Sequence, residues 1–463
     1  MKKIAIFLFS RGVHRDDSVF RRFAHGSFWA LVGAVSSQGL SMAASIIVAR
    51  LLGKQEFGQL NLIQGTVGTA STFAGFGLGL TATRYVSAFR YESPGRAGNV
   101  VRLMERIVAS AGGVAAIALI AIAPTLALSF RAPHLAFLLR LSSIYLFCIT
   151  FNGVQTGVLA GFEAFRTIAV ISFIRSLLYA ALAVPLTRLL KAEGAITALT
   201  LSAMIPCIVS HFAVRSEERR CSIPLGDLDW SDLPLLWKFS VPSLLSGIMV
   251  GPTTWLASTM LARQPGGYAE LGLFAAANQW RSVIQFLPGI LSQPILPLLT
   301  STESTSSQSR FAKVLCLSAV ANGIVATASA VAVIAFAPMI SHVYGKEFLG
   351  MTPVLIPLTI ATVIYCVVTS VGAAMAKNED MWSCFALNLL WAIVLLGLAS
   401  WQLPINGARG LALSFLGAYC FHAITNAAYL FIRMNWISTR LGNLGASPSS
   451  DVVETICLKK SDL

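Results

Sequence analysis

Charged residues are scarce in this sequence. Asp, Glu, Lys and Arg make up 12% of its 463 residues, whereas hydrophobic residues make up 56% and the mean hydropathy is +0.72. A soluble globular protein carries about twice that charged fraction, because its exterior must stay hydrated. The composition therefore excludes a soluble multidomain enzyme and indicates a protein that lies largely within a membrane.

The sequence also lacks the common signatures of metal, disulfide and nucleotide chemistry. Its eight cysteines are scattered and contain no CxxC pair, so they support neither a disulfide framework nor a metal site. No Walker A sequence is present, which leaves ATP hydrolysis by this chain unsupported. We expect no cofactor, no metal and no nucleic-acid partner.

Long apolar runs take the place of the missing charge. A run of about 20 apolar residues can cross a bilayer as a helix, and the sequence contains twelve such windows. It therefore predicts an all-α polytopic membrane protein. The predicted spans are 27–49, 58–81, 106–129, 137–160, 167–189, 194–214, 239–262, 271–297, 312–336, 352–375, 382–403 and 408–432.

Lys and Arg are distributed unevenly between the two sides of these spans. With the N-terminus in the cytoplasm, the inside segments hold 23 of the 34 Lys and Arg residues and the outside loops hold 8. Because basic residues concentrate on the cytoplasmic side, both termini are predicted to be cytoplasmic. The apolar run at the N-terminus is about six residues long, too short for the core of a secretory signal. We interpret residues 1–25 as a cytoplasmic tail.

A weak internal repeat divides the chain into two halves. IIVARLLGKQEFGQLNLIQ (46–64) aligns with STMLARQPGGYAELGLFAAANQ (258–279), so that Arg50 matches Arg263 and Gly58 matches Gly272. Such similarity is typical of transporters, although two apolar stretches also match by chance. With six spans in each half, it predicts two pseudo-symmetric lobes around a central cleft. The predicted parts are an N-lobe (26–214), a cytoplasmic linker (215–238), a C-lobe (239–432) and a cytoplasmic C-terminal tail (433–463).

Polar stripes run along four of the predicted spans. Residues three, four and seven apart share a helix face, and the stripes fall on the first, second, seventh and eighth spans, which correspond in the two halves. Small residues also mediate helix packing in lipid, so Ser and Gly alone do not identify a cavity. The longer polar side chains in these stripes are Gln38, Asn61, Gln64, Asn278, Arg281 and Gln285.

Three arginines, Arg140, Arg175 and Arg281, lie more than two residues inside the ends of predicted spans. An arginine near the bilayer centre costs about 2.5–3.5 kcal/mol on insertion scales, so it normally faces the bundle interior or a water-filled path. The interiors of the predicted spans contain no Asp or Glu to neutralise Arg281, which favours a hydrated anion site around it. Arg175 faces either such a cavity or the headgroups, and the position of Arg140 near a span end favours contact with the headgroups.

Residues 28–90 resemble a known family. The segments ARLLG-x-x-EFG (49–58), GLGLTATRYV (77–86) and AELGLFAAANQ (269–279) are similar to bacterial polysaccharide or O-antigen flippases of the multidrug/oligosaccharidyl-lipid/polysaccharide exporter superfamily. The resemblance implies two six-helix lobes that open alternately to the cytoplasm and the outside, with the first, second, seventh and eighth helices lining the cleft. It also implies a cationic cleft for a phosphorylated lipid.

These observations together predict a flippase in the bacterial inner membrane. Its substrate would be an undecaprenyl-pyrophosphate-linked oligosaccharide used for surface polysaccharide, and a polysaccharide polymerase and chain-length proteins are possible partners. The alternatives are a membrane polymerase or ligase acting on the same lipid, and a cation-coupled multidrug exporter. No catalytic residue is expected. The predicted substrate-binding residues are Arg281, Asn278, Gln285, Arg175, Asn61, Gln64, Gln38 and Arg140.

Overall fold

Helices account for nearly all of the described chain in the computed structural model, which covers residues 17–224, 230, 249–292, 307–377 and 381–444. No strand is found in those residues. The helices are α1 (Asp17–Gly75), α2 (Leu78–Glu92), α3 (Pro94–Ser129), α4 (Leu135–Gly161), α5 (Phe165–Arg220), α6 (Val250–Ala262), α7 (Gly267–Ser292), α8 (Ser307–Ala335), α9 (Ala337–Tyr344), α10 (Thr352–Lys377) and α11 (Met381–Leu444), with a 3-10 helix at Lys346–Met351.

The three longest helices each contain a break in helical conformation. A straight helix of the length of α1, 59 residues, would extend about 88 Å, nearly three times the hydrocarbon thickness of a bilayer. The breaks lie at Gly53 (φ 72°, ψ 172°), Lys191 (φ 50°, ψ −129°) and Gly407 (φ 51°, ψ −128°). After Lys191 the chain folds back, so that Gly194 packs against the backbone of Leu186. Each long helix therefore supplies two membrane segments.

Seven helical stretches within the described residues are long and apolar enough to cross a membrane. This confirms an all-α membrane protein with many spans. The count of twelve stays a prediction, because parts of the seventh and eighth predicted spans lie outside the described residues. The predicted domain boundaries also stay predictions: α1 already begins at Asp17, α5 continues to Arg220, and α11 continues to Leu444. Most of the predicted linker lies outside the described residues.

The backbone breaks repeat between the two halves of the chain. Lys191 and Gly407 have almost the same φ and ψ, each at the reversal of a long helix. Gly53 and Gly266 both have positive φ, 72° and 67°. They are separated in sequence by the distance that the repeat predicts. The fold is therefore two pseudo-symmetric lobes, which we call the N-lobe (α1–α5) and the C-lobe (α6–α11).

The two lobes meet closely where the repeat aligns Gly58 with Gly272. A Cβ atom at Gly58 would overlap the carbonyl oxygen of Tyr268, and one at Gly272 would overlap the carbonyl oxygen of Lys54. Only glycine at both positions lets α1 and α7 approach with their backbones in contact. Residues that are equivalent in the repeat therefore form a reciprocal contact between the lobes.

Hydrogen bonds join the lobes at the end of the bundle that contains this glycine contact, which we call the bridged end. Arg263 Nε donates to Ser129 O over 2.8 Å, and the Tyr268 hydroxyl donates to Phe130 O over 2.9 Å. On the opposite side of the interface, the Lys54 N–H donates to the Glu347 carboxylate over 3.0 Å. The loops involved are those that the charge distribution predicts to lie outside the cytoplasm.

Two hydrophobic cores distinguish the bridged end from the rest of the described chain. The larger core contains buried side chains of both lobes, for example Val48, Leu139, Phe274 and Phe415. The second core consists of N-lobe residues alone, including Met104. Over the described residues, the lobes thus share one core, which includes the bridged end, and the second core belongs to the N-lobe alone. This arrangement corresponds to a cleft that opens away from the bridged end.

Candidate functional site

A polar cavity of about 660 Å³ lies in the N-lobe next to its contact with the C-lobe. Side chains of α1, α4 and α5 form most of its walls, and α7 of the C-lobe closes one side. The volume is within the range of about 300–1,000 Å³ that is usual for small-molecule sites. We call this space the N-lobe cavity.

Hydroxyl and carboxamide groups dominate the polar part of its lining. Eight serines contribute: Ser37, Ser41, Ser45, Ser172, Ser176, Ser202, Ser210 and Ser282. Four carboxamides contribute: Gln38, Gln64, Asn152 and Gln279. These groups both donate and accept hydrogen bonds, which makes the lining suitable for a ligand with many hydroxyl groups.

Arg175 is the only charged residue among the described residues that line the N-lobe cavity. It lies in the first half of α5, its side chain is exposed, and its Nη2 donates a long hydrogen bond of 3.5 Å to the Tyr145 hydroxyl. Because none of those lining residues is Asp or Glu, the cavity has a positive charge without a neutralising acid. A guanidinium can form charge-assisted hydrogen bonds with phosphate oxygens.

Three of the predicted binding residues line the N-lobe cavity, namely Gln38, Gln64 and Arg175. Asn61 is half-buried on α1 and does not belong to the lining. Arg140 is exposed on α4, also outside the lining. The structure thus brings part of the predicted set together, and a binding role for each residue stays a prediction.

Arg281 lies beside the N-lobe cavity and is directed toward aromatic residues of the C-lobe. Its guanidinium carbon is 5.2 Å from the ring centre of Phe415 and 5.7 Å from that of Tyr419. Its Nη2 donates to the Tyr419 hydroxyl over 3.2 Å, and its Nη1 donates to Asn278 Oδ1 over 3.3 Å. Cation–π contacts and these two bonds hold the charge in a half-buried position.

The face of α7 that closes the N-lobe cavity is one residue removed from the predicted stripe. Gln279, Ser282 and Phe286 line the cavity, whereas Asn278 and Gln285 are half-buried outside its lining. One residue corresponds to a rotation of about 100° around a helix axis. Both faces of this helix are polar, so the sequence pattern does not indicate which of them meets the N-lobe.

Gln279 was not among the predicted residues, yet its side chain connects the two lobes. Its Nε2 donates to Ser45 Oγ of α1 over 2.7 Å, and its Oε1 accepts a hydrogen bond of 2.8 Å from the Tyr344 hydroxyl. Both ends of the carboxamide are therefore bonded, one to each lobe. The only indication of this role in the sequence is that Gln279 is a polar residue next to the predicted stripe.

Apart from Arg175, the prediction did not include the polar residues of α4 and α5 that line the cavity. Asn152 Nδ2 donates to Ser210 Oγ over 2.9 Å, and Ser41 Oγ donates to Ser176 Oγ over 2.9 Å. These bonds orient polar groups that line the cavity. Single serines and one asparagine in apolar helices resemble packing residues in sequence, which is why pattern analysis does not identify them.

A smaller cavity of about 230 Å³ lies within the C-lobe, between α6, α10 and α11. Tyr419, which holds Arg281, forms part of its wall, so the arginine lies near both cavities. Its other polar or aromatic lining residues include Tyr365, Asn388, Trp391, His422 and Asn426. None of its described lining residues is Asp, Glu, Lys or Arg.

Comparison with known proteins identifies the family. The family described as "Polysaccharide biosynthesis protein" matches residues 23–303, more than half of the chain. This chain belongs to that family. The match includes the N-lobe cavity and the residues of α7 that close it.

The chain is also similar to two relatives and to two solved structures. The chain is 24% identical over 410 residues to the EPS I polysaccharide export inner membrane protein EpsE of Ralstonia solanacearum, covering 86% of this chain and 91% of the relative. The EpsE of Ralstonia nicotianae is 23% identical, with 88% and 93% coverage.

An inward-facing multidrug resistance MATE family transporter of the MOP superfamily has a TM-score of 0.76 at 15% identity, covering 89% of this chain and 99% of that one. A MOP superfamily transporter from Pyrococcus furiosus has a TM-score of 0.64 at 18% identity, covering 88% and 94%. The chain therefore has the fold of these transporters.

Proposed function

We propose that this chain is a flippase that moves an undecaprenyl-pyrophosphate-linked oligosaccharide across the bacterial inner membrane by alternating access. The product would serve the synthesis of a surface polysaccharide such as O-antigen, capsule or exopolysaccharide. The observation that carries the proposal is the N-lobe cavity, in which hydroxyl and carboxamide groups surround one guanidinium. The polysaccharide family and the export and inner-membrane names of the relatives support it.

The chemistry of the cavity matches the parts of such a lipid. Sugar hydroxyls exchange hydrogen bonds with serine and carboxamide groups, which replaces the water that they lose. The pyrophosphate pairs with Arg175, whose exposed side chain leaves most of its donors available. The prenyl tail remains in the surrounding lipid, since the exterior of the helices is apolar.

Arg281 has a supporting role in this scheme. Its guanidinium already has aromatic and hydrogen-bond partners in the C-lobe, but it lies on the helix that closes the cavity. Its charge raises the potential near the bound anion without an acid to cancel it. An anion that leaves a negative-inside cell gains about 2.3 kcal/mol per charge per 100 mV, so the membrane potential favours export.

The two alternative functions fit the cavity less well. A cation-coupled drug exporter requires an acidic group for its cation, and none of the described residues that line the N-lobe cavity is acidic. A polymerase or ligase requires a general acid or base next to the sugar, and those lining residues include no Asp, Glu or His. A transporter is therefore the better interpretation.

The test is to replace the cavity arginine and locate the lipid-linked sugar. Arg175→Gln at native expression should reduce surface polysaccharide by at least tenfold and accumulate the lipid-linked unit on the cytoplasmic face. Arg281→Ala should have a similar effect, and Arg281→Lys should retain part of the activity because it keeps the charge. Arg140→Gln serves as a control for an arginine outside the cavity lining, and should reduce polysaccharide less than Arg175→Gln.

Accumulation on the outer face would instead support a polymerase or ligase. Normal polysaccharide in an Arg175→Gln strain that contains no other flippase would contradict the proposed role of the cavity.

A further inference from the structure

The strongest unexplained feature of the N-lobe cavity is the carboxamide of Gln279. It lines the cavity, yet both of its ends are already bonded, to Ser45 Oγ over 2.7 Å and to the Tyr344 hydroxyl over 2.8 Å. Ser45 belongs to the N-lobe and Gln279 to the C-lobe, so the first bond is a connection between lobes. A ligand hydroxyl that accepts the N–H now donated to Ser45 competes with that connection.

Tyr344, one of the partners of Gln279, is connected by side-chain contacts to the bridged end. Tyr344 is 1% exposed, and its ring centre lies 5.6 Å from that of Phe348. Phe348 contacts Phe57 of the N-lobe edge-on, with ring centres 6.1 Å apart. Next to it, the Glu347 carboxylate accepts the hydrogen bond from Lys54 N. One continuous set of contacts therefore extends from the cavity surface to the bonds that hold the lobes together.

We propose that Gln279 is the residue through which the sugar headgroup releases the bridged end: a sugar hydroxyl bonds to its carboxamide in place of Ser45. This inference rests on the proposed function and identifies the part of the substrate that is sensed. The bond to Ser45 exists only while the lobes are together, whereas a bond to the ligand persists when they separate. The ligand thus gains differential affinity for the separated state, which is the requirement for shifting the equilibrium.

The headgroup bonds to several groups of the cavity at once, which explains why water alone does not release the bridged end. A water molecule can also bond to Gln279, but no covalent connection ties it to a group that is bound elsewhere in the site. A headgroup bound by Arg175 and the serines presents its hydroxyl to Gln279 at a high effective concentration. Undecaprenyl pyrophosphate without sugar occupies the arginine but lacks these hydroxyls.

A second bond between the lobes provides a matched control. Trp255 Nε1 of α6 donates to Thr66 Oγ1 of α1 over 2.9 Å, and neither residue lines the N-lobe cavity. Trp255→Phe therefore removes one connection between the lobes without touching the cavity. Gln279→Ala removes a connection of the same kind together with the group that senses the ligand.

The experiment measures the distance between the lobes at the bridged end in the full chain, reconstituted in lipid nanodiscs. Spin labels at Leu189 and Ile405, which are 78% and 67% exposed, report the open and closed populations by double electron-electron resonance. The probes are undecaprenyl pyrophosphate carrying a synthetic disaccharide and undecaprenyl pyrophosphate alone. Binding of each probe is measured separately on the same samples.

Without a probe, Gln279→Ala and Trp255→Phe should each raise the ratio of open to closed molecules by about 2- to 12-fold, the equivalent of one hydrogen bond. The disaccharide probe should raise this ratio in the wild type and in Trp255→Phe by at least threefold more than the sugar-free probe does. It should produce no further rise in Gln279→Ala.

The outcomes separate this inference from the proposed function. If the wild type binds neither probe, both the proposed function and this inference are overturned. If the wild type binds the disaccharide probe but its lobes do not respond, or if Gln279→Ala responds as the wild type does, only the inference is overturned. If both probes raised the ratio of open to closed molecules by the same factor, the inference would also be overturned, because the sugar would then not be the part that is sensed.

Discussion

The glycine contact between the lobes allows a direct test of how they separate. Gly58 and Gly272 bring α1 and α7 together so closely that a methyl group on either would overlap a backbone carbonyl of the other helix. A carbonyl in a helix cannot rotate away as a flexible side chain can. Gly58→Ala should therefore force the helices apart and favour the state in which the bridged end is open.

The size of the effect follows from the overlap. An added Cβ at Gly58 would also lie 2.9 Å from the backbone nitrogen of Gly272, whereas ordinary contacts begin near 3.4 Å. To clear the Tyr268 carbonyl oxygen, the helices must separate by about 1.4 Å, and overpacking of this kind costs about 1–3 kcal/mol. The ratio of open to closed molecules should rise by about 5- to 150-fold.

The assay is the same distance measurement at the bridged end, without ligand, and the chain contains a matched control. Gly68 lies on the same helix, and a Cβ there would have nothing within 4 Å. Gly68→Ala should leave the distance distribution unchanged, and Gly272→Ala should reproduce the effect of Gly58→Ala. Equal distributions for Gly58→Ala and Gly68→Ala would refute the close contact and the reasoning built on it.

Two further predictions concern the backbone break and the bridged end. Lys191 has a conformation that suits glycine, as Gly407 shows at the equivalent reversal. Lys191→Gly should stabilise the protein by about 1 kcal/mol, because the backbone strain that it relieves exceeds the entropy that glycine adds to the unfolded chain. Gly407→Ala should destabilise the protein by at least as much. Thermal unfolding in detergent measures both, and a lower midpoint for Lys191→Gly would contradict the strain. Burial raises the pKa of Tyr268 to about 12, so its hydroxyl stays protonated and donates to Phe130 O at neutral pH. Tyr268→Phe should increase the open population by about 2- to 12-fold, equally between about pH 6 and 9. A difference between Tyr268→Phe and the wild type that changes with pH over this range would show that the bond depends on ionisation.

Sequence patterns were sufficient for the main features of the fold. The scarcity of charge and the long apolar runs predicted a helical membrane protein, and the alignment of Gly58 with Gly272 predicted two similar lobes. The structure adds that these aligned glycines touch one another. A repeat shows which residues are equivalent, but the contact between them depends on how the two lobes are arranged.

The site was only partly predictable for a related reason. Periodicity placed Gln38, Gln64 and Arg175 on polar faces, and all three line the N-lobe cavity. For α7 the rotation of the helix is decided by residues that are distant in sequence, such as Phe415 and Tyr419, which hold the guanidinium of Arg281. Periodicity within a single helix contains no information about such partners, so Gln279 on the neighbouring face was not identified.

The most direct test of the central claim is a transport measurement in proteoliposomes. Undecaprenyl pyrophosphate carrying a labelled disaccharide is placed in both leaflets, and an impermeant enzyme modifies the sugar that is exposed outside. With the wild-type chain the protected half should become accessible, whereas with Arg175→Gln it should stay protected as in liposomes without protein. If the protected half became equally accessible with the wild type and with Arg175→Gln, or stayed protected with both, the result would contradict the claim that this cavity carries a lipid-linked sugar across the membrane.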